Sequence, residues 1–317
     1  MKENIRKIIN IPNLFFILLL ISFKLPSKFA AEMRGGLKPV WAFFTVIILI
    51  EIAFLVAQFK KKSSSASAGE KRITSRDITG FVFIVLFLWE FFVSRLNVFP
   101  YIFVPAPENV FHIFISDYKN ILLGFVSSMY LLLAGMISAL VCAVVLGTIV
   151  GWNNRLCNAI YPIAKAISTV PPLIYTPYVV LVMPTFKMAS LFVIFLSIFW
   201  GSFMGSINNT RFVEKKIINS AIVLNLSVPT ILFKIIIPFN LPRIINALPI
   251  NLATALMTLT AAEMLGADNG MGYYVRYSLS FANYTKAIAG IIFIGLVVTI
   301  LNAVINVLKK YLIKWNY

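Results

Sequence analysis

The sequence predicts an all-α membrane protein that crosses the bilayer several times. Of its 317 residues, 60% are hydrophobic and only 12% are charged, and its mean hydropathy is +0.90. A soluble domain of this length could not bury that much apolar surface. Apolar runs of about 20 residues, the length that crosses the hydrocarbon core, recur along the chain between short basic segments.

Eight candidate spans follow one another. They cover residues 11–30, 39–58, 78–96, 121–151, 159–182, 186–206, 243–266 and 286–308. The first contains a short apolar run, from Leu14 to Phe23, and Lys24 follows it. Together with the basic residues near Lys2, this pattern also fits a signal peptide, so residues 11–30 are either a full span or a signal-like segment. The first two candidates form a predicted N-terminal two-helix hairpin over residues 1–58.

The segment after the hairpin, residues 59–77, is rich in serine and lysine. That composition is typical of a flexible, solvated cytoplasmic linker that lies near anionic lipid. It separates the hairpin from a predicted six-span body over residues 78–317.

The basic residues are distributed unevenly between the two sides of the membrane. With the N-terminus inside, about two thirds of the 28 Lys and Arg residues fall in cytoplasmic segments. This bias predicts that both termini are cytoplasmic. It also accounts for the net charge of +17 without nucleic acid as a partner.

The sequence does not predict a catalytic site or a metal site on this chain. Its two cysteines and single histidine lack the spacing of a disulfide or a metal site. Nothing in the sequence resembles a nucleophile–base pair or a glycine-rich phosphate loop. The sequence therefore predicts a protein that is not an enzyme and holds no cofactor.

The functional prediction depends on a basic, polar segment between two apolar spans, residues 207–242. A connection between two spans needs far fewer residues, so we expect two short surface helices, broken at Pro229 and Pro238. Such a segment is typical of a docking element for a soluble partner. The alternative is an amphipathic surface helix without a partner.

Several residues resemble ABC importer permeases. Asn219-Ser220-Ala221, followed by Asn225 and later by Pro238, resembles the EAA loop of that family. The run from Ala261 to Tyr273 resembles its nitrate/sulfonate/taurine class. Further similar residues are Trp89-Glu90, Val104-Pro105-Ala106-Pro107 and Pro171-Pro172. The resemblance covers residues 78–315 and implies a six-helix type I permease core.

In that family the loop helix sits in a cleft of a separate ATP-binding subunit, which binds ATP and Mg. The resemblance assigns this coupling role to Asn219, Ser220, Ala221, Asn225, Pro229 and Pro238. Asn219 replaces the glutamate of the family pattern and removes a charge. Asn225 replaces its glycine, and asparagine is the residue after glycine that best tolerates the left-handed end of a helix.

The resemblance also implies the setting of the chain. The expected location is the bacterial cytoplasmic (inner) membrane. The expected partners are an ATP-binding subunit, an extracytoplasmic substrate-binding protein, a second permease copy and membrane lipid. The expected function is import of a small sulfonate-, nitrate- or taurine-like anion, or of a vitamin precursor, by alternating access.

Glu263 is an ionisable residue at membrane depth, where a charge is costly. It either belongs to the substrate pathway or accepts hydrogen bonds from a neighbouring helix. Around it, the predicted pathway and gate residues are Glu263, Met264, Gly266, Gly270, Gly272, Pro171 and Pro172. Two other functions stay open: a secondary transporter with Glu263 as its ion or proton site, and a membrane scaffold without transport.

Overall fold

The structure, a computed structural model, describes residues 10–28, 37–59, 66–100 and 102–312. All regular secondary structure in these ranges is helical, which confirms the predicted all-α class. Within them, five helices are long and apolar enough to cross a membrane, and a bent pair of helices gives a sixth span if it is counted as one. The chain is therefore a polytopic membrane protein.

The described residues form twelve helices. In chain order they are α1 Ile11–Ser22, α2 Trp41–Phe59, α3 Ala66–Trp89 with a π-helical end Glu90–Arg95, α4 Pro107–Ser116, α5 Tyr118–Trp152, α6 Asn154–Ser168, α7 Pro172–Val182, α8 Phe186–Arg211, α9 Lys215–Val223, α10 Val228–Gly266, α11 Met271–Ser280 and α12 Tyr284–Leu312. The chain divides into two compact units, one of residues 1–118 and 278–289 and the other of residues 119–277 and 290–317.

In the first unit, the predicted hairpin helices α1 and α2 pack with α3 and α4. Leu19, Phe43, Ile47 and Phe83 are buried together, and the ring of Phe43 stacks on that of Phe111 at 5.1 Å. Helix α1 has 12 residues and is about 18 Å long, shorter than the hydrocarbon core of about 30 Å. The hairpin thus shares its core with the first span of the predicted six-span body.

The structure differs from the expected linker over residues 59–77. Residues 66–77 belong to helix α3, and residues 60–65 lie outside the described part of the chain. Alanine, glutamate, lysine and arginine after Ala66 favour a helix, so the first span extends backwards into the polar sequence.

A buried ion cluster lies where α3 ends. The Arg95 guanidinium bonds Glu90 Oε1 at 2.5 Å and lies 3.4 Å from Glu108 Oε1, and all three side chains are at most 7% exposed. Arg95 Nη1 also donates to the carbonyl oxygen of Leu25 at 2.9 Å. The segment after α1 is therefore tied to α3 by an arginine inside the first unit.

In the second unit, small residues on α5 let α8 approach closely. A Cβ atom added to Gly135 would lie 2.8 Å from Ile194 Cγ2, and one added to Gly147 would lie 2.6 Å from Ser206 Cβ. Close approach over small residues is a principal way in which membrane helices associate. Helices α8 and α10 contribute Ile194, Leu256 and neighbouring side chains to the main core of this unit.

The pair Pro171-Pro172 lies at a sharp bend between two helices. Helices α6 and α7 meet at 89° across residues 169–171. Pro172 is the first residue of α7, where its missing N–H costs no helical hydrogen bond, and Pro171 precedes it in an extended conformation.

Candidate functional site

The segment over residues 207–242 contains one short helix, not the two that we expected. Helix α9 stands alone, and α10 starts at Val228 and runs on to Gly266. Pro229 lies in the first turn of α10, where proline is tolerated. The prediction that Pro238 breaks the chain is wrong. Pro238 falls where the π-helical stretch Ile231–Ile236 changes to α-helix, and the hydrogen-bond pattern shifts there in any case.

Helix α9 ends in a Schellman motif at Asn225. The N–H of Leu226 donates to the carbonyl of Ala221 at 3.2 Å, and the N–H of Asn225 donates to the carbonyl of Ile222 at 2.9 Å. Asn225 has a φ of 52°, in the left-handed region. The left-handed backbone that the sequence predicted for this asparagine is therefore confirmed.

One residue of the EAA-like motif anchors α9, and the others face outward. Ala221 is 3% exposed and packs with Val213, Ile231 and Ile236, which ties α9 to the end of α8 and the start of α10. Asn219, Ser220, Asn225 and Pro229 are exposed. Ser220 Oγ donates to the carbonyl of Lys216 at 2.9 Å.

Apolar side chains are also exposed at the C-terminal end of α9 and just after α8. Val223 is 81% exposed, Leu224 71% and Phe212 73%. Contiguous exposed apolar side chains with polar neighbours are typical of a site that binds another protein. The arrangement is a short, sharply terminated helix with an anchored inner side and an apolar outer end.

The carboxylate of Glu263 lies at the other end of α10 and is fully buried. Its Oε1 accepts a hydrogen bond from Ser128 Oγ at 2.5 Å, and its Oε2 accepts one from the N–H of Gly272 at 2.7 Å. Ser128 Oγ in turn accepts a hydrogen bond from the N–H of Met271 at 2.9 Å. Glu263 thus joins α10 to α5 and to the start of α11.

Glycines make this contact possible. Gly270 has a φ of 132°, a conformation that side chains rarely adopt, and a Cβ there would overlap the carboxyl group of Glu263. A Cβ on Gly272 would lie 3.0 Å from Glu263 Cβ. These two predicted gate residues therefore surround Glu263 directly. The geometry favours the structural alternative for this carboxylate, because both of its oxygens accept bonds from the protein.

The other predicted pathway residues lie apart from the carboxylate. A Cβ on Gly266 would lie 2.9 Å from Val180 Cγ1, so the end of α10 contacts α7 there. Met264 is 39% exposed. Pro171 and Pro172 lie at the other end of α7, at its bend with α6.

Comparison with known proteins identifies the class of protein. The family model described as the binding-protein-dependent transport system inner membrane component matches residues 139–315. The chain belongs to this family. The resemblance to ABC importer permeases is thereby confirmed, and both α9 and Glu263 lie within the matched residues, whereas Ser128 precedes them.

Several permeases align with just over half of the chain. A putative aliphatic sulfonates transport permease protein, SsuC, from Bacillus subtilis is 28% identical over 171 residues, which are 54% of this chain and 62% of that protein. The nitrate import permease protein NrtB from Leptolyngbya laminosa is 28% identical over 170 residues, 54% of this chain and 61% of the relative. The taurine transport system permease protein TauC from Escherichia coli is 27% identical over 179 residues, which are 56% of this chain and 65% of that protein. The chain thus spans less than two thirds of the length of these relatives.

The sequence did not indicate which residues bind the carboxylate of Glu263. Ser128 lies 135 residues before Glu263, and a Cβ on the nearby Gly124 would lie 3.0 Å from the carbonyl oxygen of Gly270. The available signal was the spacing of small residues along α5, where Gly124 and Ser128 are four residues apart and share one face.

Proposed function

We propose that this chain is the membrane-spanning permease subunit of an ATP-driven, binding-protein-dependent importer. Helix α9 docks into a separate ATP-binding subunit, which holds ATP and Mg. An extracytoplasmic substrate-binding protein delivers the cargo, and a second permease copy completes the pathway. The complex lies in the cytoplasmic membrane of a bacterium, with both termini of this chain inside.

The observation that carries the proposal is the anchoring of α9. Ala221 fixes the helix to Ile231 and Ile236 of α10, so a force on the outer side of α9 acts on a membrane-spanning helix. At 39 residues α10 is about 58 Å long, and its far end holds Glu263. Closure of the ATP-binding subunit would therefore tilt α10 and disturb the Ser128–Glu263–Gly272 contact.

The role proposed for the gate residues follows from that contact. Glu263, Gly270 and Gly272 hold the turn between α10 and α11, and Gly266 packs α10 on α7. Met264, Pro171 and Pro172 complete the segments that would move with it. Membership of the permease family does not favour the secondary-transporter alternative, in which Glu263 itself binds an ion.

The proposed cargo is a small sulfonate-, nitrate- or taurine-like anion. This assignment is supported by the names of the aligned permeases, which describe transport of aliphatic sulfonates, nitrate and taurine. These relatives share 27–28% identity with the chain over 170–179 residues, so the proposal names a class of cargo and not one compound.

The test is whether α9 controls an ATPase. The full chain is co-expressed with the ATP-binding subunit from the same operon, and ATP hydrolysis is measured in membrane vesicles. Val223→Ser combined with Leu224→Ser removes the apolar outer end of α9. The control is Tyr311→Ser, because Tyr311 is 70% exposed near the end of α12.

We expect the α9 double variant to lose co-purification of the ATP-binding subunit and at least about tenfold of the coupled hydrolysis. A loss of this size corresponds to removal of one well-buried interface anchor, about 1.4 kcal/mol or more. The control should behave as the unaltered chain. Full coupling in the double variant would exclude α9 as the docking element.

A further inference from the structure

A small cavity in the second unit has features that the coupling mechanism does not use. It lies between α5, α8 and α10 and has a volume of about 100 Å³. Its polar lining comes from Ser202, Asn209, Arg243 and Asn251, and Ser206 lies beside them. Leu140 and Val144 of α5 and Ile244 and Ala247 of α10 line the remainder. Arg243 and Gly201 are exposed, so the cavity is open on one side.

Two glycines of α8 create this space. Gly201 and Gly205 line the cavity, and a Cβ added to either would meet no atom within 4 Å. The α5 glycines in the same unit differ, since a Cβ on Gly135 or Gly147 would collide with α8. The glycines at positions 201 and 205 therefore leave open space beside α8 and do not mediate a close contact with another helix of the chain.

The polar groups around the cavity supply several hydrogen-bond donors and one cation. Asn251 Nδ2 donates to Ser202 Oγ at 3.2 Å, which leaves the serine hydroxyl proton available. Within the described part of the chain, the side chains of Arg243 and Asn209 have no hydrogen-bond partner. Arginine is always charged and carries five donors and no acceptor. Among the described residues that line the cavity, Arg243 is the one charged group and none is acidic.

We propose that this cavity is a binding site for a small oxyanion. The guanidinium of Arg243 supplies the charge and paired N–H donors, and Asn209, Asn251 and Ser202 supply neutral hydrogen bonds. About 100 Å³ holds several water molecules or one small ion, and lies far below the roughly 300–1,000 Å³ of sites for larger organic ligands. The ligand class is therefore a nitrate, a sulfate or the head group of a small sulfonate.

The position of the site gives it a role in the pathway. Asn209 lies two residues before the end of α8 at Arg211, next to the segment that carries α9. The site is thus on the side of the unit where the ATP-binding subunit is proposed to dock. An anion held there is at the release end of the pathway. This role depends on the proposed transport function, whereas the binding chemistry depends only on the cavity.

The experiment measures anion binding to the purified full chain in detergent, without any partner. Equilibrium dialysis uses labelled sulfate and, separately, nitrate, at constant ionic strength set with chloride. Arg243→Gln removes the charge. Gly201→Leu fills the cavity without a collision at the Cβ atom. The matched controls are Arg155→Gln, an exposed arginine of α6, and Gly295→Leu, where an added Cβ also meets no atom within 4 Å.

We expect saturable binding of at least one of the two anions, weakened about tenfold or more in Arg243→Gln and Gly201→Leu and unchanged in both controls. Elution profile and melting temperature are compared to verify that each variant is folded. The proposal is overturned if the unaltered chain binds neither anion in a saturable way, or if both cavity variants bind like the controls.

Two further outcomes separate the alternatives. If Gly201→Leu changes the number of chains per particle and leaves anion binding intact, the glycines form a helix-packing surface for a second copy, and the anion site is wrong. If α9 does not couple to an ATPase but the cavity variants weaken anion binding as expected, the proposed importer function is rejected and the proposed anion site is retained.

Discussion

Replacing Ser128 by alanine tests whether the buried carboxylate at the end of α10 is a structural joint. Ser128→Ala deletes the hydroxyl that donates to Glu263 Oε1 at 2.5 Å and accepts from the N–H of Met271 at 2.9 Å. A hydrogen bond contributes about 0.5–1.5 kcal/mol, and a buried N–H without a partner costs about 1–3 kcal/mol. Because the two losses occur at one site and overlap, we expect a destabilisation of about 2 kcal/mol.

The assay is unfolding of the purified chain in mixed micelles, followed by circular dichroism as the fraction of denaturing detergent rises. The control is Ser138→Ala on the same helix, because Ser138 Oγ donates to the carbonyl of Gly135 within its own helix at 3.0 Å. That variant should change the free energy of unfolding by less than about 0.5 kcal/mol. Equal midpoints for the two variants would refute the view that Glu263 joins α5, α10 and α11.

Two further predictions concern the cap of α9 and the ion cluster of α3. Asn225→Ala should destabilise the chain by about 1 kcal/mol in the same assay, because the left-handed backbone disfavours a Cβ, whereas Asn225→Gly should not destabilise it. If alanine and glycine are equivalent there, the Schellman cap is energetically unimportant. Arg95→Ala should cost about 3–5 kcal/mol, since it leaves Glu90 and Glu108 buried without a cation. Arg76→Ala removes a pair that is 43% and 63% exposed and should change stability by less than about 1 kcal/mol, so comparable losses in the two arginine variants would contradict the burial argument.

Hydropathy predicted the helical class and the order of the long spans. These features arise from local composition, because an apolar run of sufficient length spans the bilayer as a helix. The backbone at Asn225 was predictable for the same reason, because few residues adopt positive φ. The continuous helix through Pro238 was not predictable, because proline in a sequence normally indicates a break, whereas here Pro238 is the second residue of the run Ile237–Gly266. Here a π-helical stretch precedes it.

The contacts of the site required the fold. Ser128 and Glu263 are far apart in the chain, and nothing in either local sequence selects the other as a partner. The cluster of Glu90, Arg95 and Glu108 was also missed, because acidic and basic residues near the end of a span usually remain in water. Only the packing of the segment after α1 over the end of α3 shows that this arginine is buried.

The uninterrupted α-helical run from Ile237 to Gly266 has a mechanical consequence. Its 30 residues, which include Pro242 and Pro249, are about 45 Å long, so a tilt of the whole helix by only about 5° at its cytoplasmic start would displace its opposite end by about 4 Å. That displacement exceeds the length of a hydrogen bond. Small rotations imposed at one surface of the bilayer would therefore suffice to open or close contacts at the other, and no part of the helix needs to unfold.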